Sequence, residues 1–214
     1  ARFERIGKDW LEEEFRHSVT AFGGGALLSA VALILVPEGI AHLKPTSACI
    51  WFIVGGFSFM LLDIFLNKMK TPAGQLAAML SDFIPESIAL GAAFATGNNN
   101  AFLLAAMIAL QNLPEGFSSY RELNTAADFK PNKIIFMFCF MAMLGPVAGV
   151  SGYLWLAEYP DIISIIMLFA SGGIMYSIFQ DLAPQVKLEK QWGPPMGAVL
   201  GFVLGMLGLM ITTP

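Results

Sequence analysis

Two related motifs inside apolar segments decide how this chain folds. Residues 81–87 read Ser-Asp-Phe-Ile-Pro-Glu-Ser, and residues 111–116 read Gln-Asn-Leu-Pro-Glu-Gly. Each motif places a Pro-Glu pair within a hydrophobic run, with polar side chains three or four residues before the glutamate. A hydrocarbon environment tolerates an ionised carboxylate poorly, so such a group needs a partner, a proton or a metal ion. The two motifs therefore mark the most informative part of the sequence.

The composition indicates an all-α polytopic membrane protein. Of the 214 residues, 56% are hydrophobic and 13% are charged, whereas about 25% are charged in a typical soluble domain. Apolar runs of about twenty residues, the length of a membrane-spanning helix, recur along the whole chain. No basic patch interleaved with aromatic residues occurs, which argues against nucleic-acid binding. Cys49 and Cys139 lie in apolar runs and are interpreted as packing residues.

The hydrophobic runs predict seven transmembrane helices in a single domain. We place that domain at residues 20–214 and interpret residues 1–19, which are charged and amphipathic, as a cytoplasmic N-terminal segment. The Gly-Asn-Asn-Asn stretch at 97–100 reads as a tight turn between the third and fourth helices. The predicted spans are approximately residues 20–40, 48–66, 73–96, 101–118, 133–156, 161–182 and 195–212.

The distribution of basic residues predicts the orientation of these seven spans. Eleven of the twelve Lys and Arg residues fall on the side of the N-terminus, and the other side holds only Lys44. Basic flanks mark the cytoplasmic side of a membrane. The N-terminus is therefore predicted to lie in the cytoplasm and the C-terminus outside, in the inner or plasma membrane of a cell.

Helical spacing gathers the polar side chains of the two motifs. Asp82 lies four residues before Glu86, and Gln111 and Asn112 lie four and three residues before Glu115, so each set shares a helix face. A tight turn makes the two helices antiparallel neighbours, which brings three carboxylates and two amides together. Three close acids cannot all stay ionised without a cation or a proton. Metal coordination, proton binding and a purely structural polar contact between the helices are the three alternatives.

Two further acids lie in other apolar segments. We interpret Asp63 as an interfacial carboxylate near Lys68 and Lys70. For Asp181, spacing alone leaves a structural role and a role in the site equally open.

The motifs resemble those of the ZIP (Zrt/Irt-like) divalent-metal transporters. The resemblance implies that the chain is a divergent, bacterial-type member of that family. The stretch at 111–116 resembles the family motif Gln/His-Asn-x-Pro-Glu-Gly, and residues 82–87 resemble the preceding family motif, His-Asn-x-Pro-Glu-Gly. Residues 25–39 and 169–184 resemble two other family spans, so the resemblance covers nearly the whole chain. It implies an eight-helix fold with an inverted repeat of three-helix units around the motif-bearing pair. The seven helices would match spans two to eight, and the first span would be absent or lie upstream of Ala1.

The resemblance also implies a metal site, and this sequence departs from the family motif at three positions. Glu86 and Glu115 would be the bridging ligands if two ions bind. Asp82 stands where the family usually has His, Phe83 where it has Asn, and Ser87 where it has Gly. The resemblance implies zinc as substrate, with manganese, iron and cadmium as alternatives, and the oxygen-rich ligand set suits harder ions such as manganese. The implied ligands are Asp82, Glu86, Gln111, Asn112, Glu115 and Asp181.

These observations favour a carrier, not an enzyme, that moves divalent metal ions across the lipid bilayer into the cytoplasm. One alternative is a proton-linked carrier of another solute that uses the same acids. Another is a metal-binding sensor that does not transport. An intramembrane aspartyl enzyme would need Tyr-Asp and Gly-x-Gly-Asp contexts that the sequence lacks. The sequence leaves open whether the chain works as a homodimer.

Overall fold

The computed structural model describes residues 14–69, 72–95, 97, 101–126, 130–156, 158–186 and 192–212, and every regular element within these ranges is a helix. Four helices begin at a proline, the residue that suits the first helical position because its missing N–H needs no partner there. We number the described helices as follows: α1 Phe15–Ile40, α2 Pro45–Met69, α3 Pro72–Ala95, α4 Ala101–Ala126, α5 Pro131–Leu156, α6 Pro160–Gln185 and α7 Gly193–Thr212.

The helices confirm an all-α membrane protein. Within the described residues, α1, α2, α5, α6 and α7 are each long and apolar enough to cross a membrane. In α3, the apolar stretch Phe83–Ala95 is shorter. Five of the seven predicted spans are thus found among the described residues. The other two predicted spans, in the helices α3 and α4 that carry the Pro-Glu motifs, stay predictions.

Several helix ends differ from the predicted boundaries. α1 begins at Phe15, so residues 15–19 of the predicted N-terminal segment belong to the first helix. Two side chains in its first turns form hydrogen bonds with carbonyl groups four residues earlier. Ser18 Oγ donates to the Glu14 carbonyl at 2.7 Å, and Thr20 Oγ1 donates to the Arg16 carbonyl at 3.1 Å. α4 continues to Ala126, well past the predicted end at 118, because no Pro or Gly follows residue 116 within it. Hydropathy marks where a helix leaves the hydrocarbon, not where its hydrogen bonds end.

The predicted turn between α3 and α4 begins as expected. Gly97 has φ of +68°, and its N–H donates to the Phe94 carbonyl at 3.2 Å. This left-handed conformation is the usual way to end a helix, and glycine adopts it without a steric penalty. Residues 98–100 of the predicted turn lie outside the described residues.

α1 packs most extensively against α7, and glycines bring the two backbones into contact. A Cβ atom added to Gly25 would overlap the carbonyl oxygen of Ala198, and one added to Gly201 would overlap the carbonyl oxygen of Phe22. Small residues allow such close approach in membranes, where association depends on van der Waals packing.

α2 and α6 form a second pair with the same arrangement. A Cβ atom on Gly172 would overlap the carbonyl oxygen of Phe52, and one on Gly55 would overlap the carbonyl oxygen of Phe169. The contacts reproduce those of α1 with α7, with α6 in the place of α1 and α2 in the place of α7.

The two pairs form an inverted repeat. α1 and α6 run antiparallel, because Leu168 near the start of α6 meets Gly39 at the end of α1, and Leu182 near the end of α6 lies 3.6 Å from a Cβ built on Gly24. Every residue of α1 in the repeat is separated from its counterpart in α6 by the same number of positions. The counterparts are Phe22 and Phe169, Gly25 and Gly172, the π-helical turns Val31–Leu35 and Ile178–Leu182, and Pro37 and Pro184.

The third close pair is α3 with α5. A Cβ atom on Gly91 would overlap the carbonyl oxygen of Gly149, and one on Gly152 would overlap the carbonyl oxygen of Ile88. α3 also contacts α2, α4 and α6, so the first motif lies on a helix with neighbours on several sides.

The buried apolar core lies at the end of the bundle that holds the α3–α4 turn. Its members come from α1 between residues 26 and 35, the end of α3, the beginning of α4, and α6 from Ile163 to Ile178. They include Val31, Ile34, Leu35, Ala89, Ala92, Leu104, Ile108, Ile163 and Met167. The opposite end contains the C-terminal parts of α2 and α6, which carry acidic side chains.

Candidate metal site

Glu86 is the one buried acid among the residues that the structure describes. It lies in the middle of α3, and only 2% of its surface is exposed. Ala89, one turn further along, belongs to the apolar core. Removing an ionised carboxylate from water costs several kcal/mol unless a compensating charge, proton or hydrogen bond is present. The charge of Glu86 must therefore be compensated inside the protein, by another protein group or by a cation.

Proline shapes α3 beside this acid. Pro85 lies inside the helix and has no N–H, so the carbonyl of Ser81 does not receive the usual helical hydrogen bond from it. Backbone carbonyl oxygens are ligands that hard divalent cations accept readily. The helix thus supplies two kinds of oxygen, carboxylate and carbonyl, within about one turn.

The structure brings the motif-bearing helices together but describes only part of the predicted ligand set. α3 contacts α4, as the tight turn predicts, and Asn112 on α4 is partly buried. The side chains of Asp82, Gln111 and Glu115 lie outside the described residues. Among the described side chains, no three His, Cys, Asp or Glu residues are close enough to hold a metal ion. The five-ligand site between the helices stays a prediction.

Asp181 lies in a different environment from Glu86. It is exposed, within the π-helical turn Ile178–Leu182 of α6, and it is close enough to Asp63 of α2 for their charges to interact. The hydroxyl of Tyr176 donates to Asp63 Oδ2 at 3.1 Å. Asp63, interpreted from sequence as an interfacial carboxylate near lysines, thus has a tyrosine partner and a second acid beside it.

Sequence reasoning missed Tyr176. Tyr176 and Asp181 are five positions apart, a spacing that does not share a face in a regular α-helix. In the π-helical turn the N–H of Ala183 donates to the carbonyl of Ile178, five residues back, and this wider turn changes which side chains are neighbours. The one signal in the sequence for this contact is that Tyr176 and Asp63 are both polar residues within apolar segments.

We expect Tyr176→Phe to weaken the α2–α6 contact because it removes the hydroxyl that binds Asp63. The free energy of unfolding should fall by about 1 kcal/mol, the usual net value of one hydrogen bond. Thermal unfolding of the purified protein in detergent measures this change, and Tyr159→Phe, at an exposed tyrosine, is the control. If Tyr176→Phe and Asp63→Asn have additive effects in the double variant, the hydrogen bond contributes nothing.

Comparison with known proteins places the chain in no family. No protein-family model matches the sequence, and no curated protein matches it. The class of protein is therefore defined by the fold and the site alone: a helical membrane protein with an inverted repeat of helix pairs and a buried glutamate in a proline-containing helix.

Proposed function

We propose that this chain is a carrier that moves divalent metal ions across a membrane, as the motif resemblance to the ZIP transporters implies. The observation that carries the proposal is the burial of Glu86 in α3, a helix that contains Pro85 and packs against the helix that holds the second Pro-Glu motif. A buried carboxylate is a suitable ligand for a cation that has shed its water. Zinc is the first candidate substrate, and manganese, iron and cadmium are the alternatives.

The inverted repeat supports a carrier over a static binding protein. Many secondary transporters contain inverted repeats, with the substrate site near the bilayer midplane between the repeated units. Here the pairs α1–α7 and α6–α2 share one set of backbone contacts. In the sequence, the motif-bearing helices α3 and α4 come after α2 and before α6. In the proposal all seven helices cross the membrane, and the N-terminus lies in the cytoplasm, as the basic residues predict.

The two ends of the bundle differ in a way that suggests a path. On the side of the α3–α4 turn, the buried core includes apolar residues such as Leu35, Leu104 and Ile163. On the opposite side lie Asp63 and Asp181, whose carboxylates attract cations. An ion held at Glu86 would therefore leave toward Asp181, which is the cytoplasmic side in the proposed orientation.

The test is ion uptake into liposomes that contain the purified protein and a metal-sensitive dye. We expect zinc, manganese or cadmium to enter faster than into protein-free vesicles, and the double variant Glu86→Ala/Glu115→Ala to reduce entry to the protein-free rate. Uptake that persists in the double variant would contradict the proposal. A second dye for internal pH separates the alternatives, because a proton-linked carrier of another solute moves protons without any dependence on metal.

A further inference from the structure

Two wide turns interrupt α1 and α6 at positions that the inverted repeat relates. The turn is Val31–Leu35 in α1 and Ile178–Leu182 in α6, and in each case the residue after the turn donates its N–H to the carbonyl five residues earlier. Turns of this π-helical kind are rare and often occur at functional sites. Because α1 and α6 run antiparallel, one such turn lies toward each end of the bundle.

A proline follows each turn and weakens the attachment of the helix end beyond it. Pro37 comes two residues after the turn of α1, and Pro184 comes two residues after the turn of α6. Neither proline has an N–H to donate to the helix before it, and prolines and π-helical turns are both causes of helix bends. The helix ends beyond the turns are Val36–Ile40 in α1 and Ala183–Gln185 in α6. We call them the α1 tip and the α6 tip.

The α1 tip packs closely on the beginning of α6. Gly39 is buried, and a Cβ atom built on it would lie 2.7 Å from Cγ of Leu168, which is itself fully buried. Ser164, one turn earlier in α6, donates from Oγ to the Glu38 carbonyl at 3.5 Å, a long hydrogen bond. Any side chain at position 39 would displace either Leu168 or the tip. We call the Gly39–Leu168 contact the latch.

The α6 tip is more exposed than the α1 tip. Ala183 is exposed, whereas its counterpart in the repeat, Val36, is partly buried. In the turn before the tip, Asp181 is exposed and its counterpart Ile34 is buried. The two ends of the repeat thus share a backbone pattern but differ in packing, with the α1 tip closely packed and the α6 tip loosely packed.

We propose that the π-helical turns of α1 and α6 are a matched pair of hinges, one toward each end of the bundle, and that the latch holds the α1 tip closed. Hinges are commonly a few residues near the end of an element that absorb a change in backbone angles. When the latch opens, the α1 tip turns away from α6 about its π-helical turn, while the parts of the two helices before the turns stay packed in the apolar core. The hinges are a property of the fold and do not depend on which solute the proposed carrier moves.

The experiment measures distances between spin labels by pulsed electron paramagnetic resonance on the full-length chain in liposomes. Cys49 and Cys139 are both exposed and are first replaced by serine, so that labels attach only at introduced cysteines. Labels at the exposed positions Ile40 and Ile162 report on the α1 tip, and labels at the exposed positions Val19 and Ile162 report on the parts of α1 and α6 before the turns. With the latch intact, we expect a narrow Ile40–Ile162 distribution.

Gly39→Ala is expected to open the latch, because its methyl group would overlap the Leu168 side chain. The Ile40–Ile162 distance should lengthen by several ångströms, and the Val19–Ile162 distance should not change. In Gly39→Ala/Leu168→Ala the methyl group has room again, and the short distance should return. Gly24→Ala is the matched control, since its methyl group meets only the Leu182 side chain at 3.6 Å and should change neither distance.

Labels at Val19 and Ala183 report on the α6 tip, which lacks the tight packing of the α1 tip. Their distances should be more broadly distributed than those of Ile40 and Ile162 in the chain with an intact latch. Equal widths would overturn the difference between the two hinges. This comparison needs no core substitution, so it decides the question even if Gly39→Ala does not fold.

The remaining outcomes test the hinge and the latch separately. If Gly39→Ala lengthens both the tip distance and the Val19–Ile162 distance, α1 moves as a rigid rod and the hinge is wrong. If it lengthens neither, the latch is wrong. None of these measurements involves a metal ion, so the carrier proposal succeeds or fails in the uptake test alone.

Discussion

Replacing Glu86 by glutamine is expected to reduce ion uptake strongly while the protein still folds. Glutamine has nearly the same shape but carries no charge, so the 2% exposed position would no longer hold a buried carboxylate. Its amide oxygen and NH₂ group can still form hydrogen bonds in the same place. The same change removes the ligand on which the proposed site depends. Uptake into dye-loaded liposomes should fall at least about tenfold, the loss expected when a charged ligand worth about 1.4 kcal/mol or more is removed.

Thermal unfolding with and without metal separates this explanation from a structural role for Glu86. A bound ion stabilises the folded state by mass action, by about 2.7 kcal/mol at a concentration one hundred times the dissociation constant. The wild-type protein should gain this stability when zinc or manganese is added, and Glu86→Gln should not. Glu158→Gln, in an exposed turn, is the control and should behave as wild type. A large loss of stability in metal-free Glu86→Gln would mean that the carboxylate mainly holds α3 to its neighbours.

The helices were predictable from sequence because bilayer physics restricts the alternatives. Every backbone polar group in hydrocarbon must be paired within the chain, so each apolar run of sufficient length reads as a helix. The prolines at positions 45, 72, 131 and 160 then mark helix starts to within a few residues of the predicted ones. Helix ends outside the apolar runs, such as that of α4 at Ala126, depend on local hydrogen bonds that hydropathy does not report.

The inverted repeat is visible in the structure and was implied only by resemblance in the sequence. α1 and α6 share Phe22 with Phe169, Gly25 with Gly172 and Pro37 with Pro184, and few other identities. What repeats is the position of backbone contacts, which requires small residues at certain points and tolerates any apolar residue elsewhere. The same reasoning explains why the contact of Phe83 with Gly145 was not predicted. The sequence shows that it is not a ligand, but its position against Gly145 depends on how α3 and α5 pack.

Replacing Gly25 by alanine is expected to destabilise the protein strongly, although alanine normally favours a helix. The added methyl group would overlap the carbonyl oxygen of Ala198, so α1 and α7 would have to move apart along their closest contact. Overpacking of this kind costs about 1–3 kcal/mol, which outweighs the helix-propensity gain of at most about 1 kcal/mol. The thermal unfolding midpoint in detergent should therefore fall, together with the yield of monodisperse protein on gel filtration.

Gly24→Ala is the matched control, because the same substitution one residue earlier meets only the Leu182 side chain at 3.6 Å, an ordinary van der Waals distance. It should leave the unfolding midpoint unchanged or raise it slightly. Gly172→Ala extends the comparison to the other helix pair: its methyl group would overlap the carbonyl oxygen of Phe52 as that of Gly25→Ala overlaps Ala198. The two variants should lose similar stability, since the repeat gives both glycines the same contact. If only one of them is destabilised, the two helix pairs are not energetically equivalent, and packing beyond the shared backbone contacts holds one of them together.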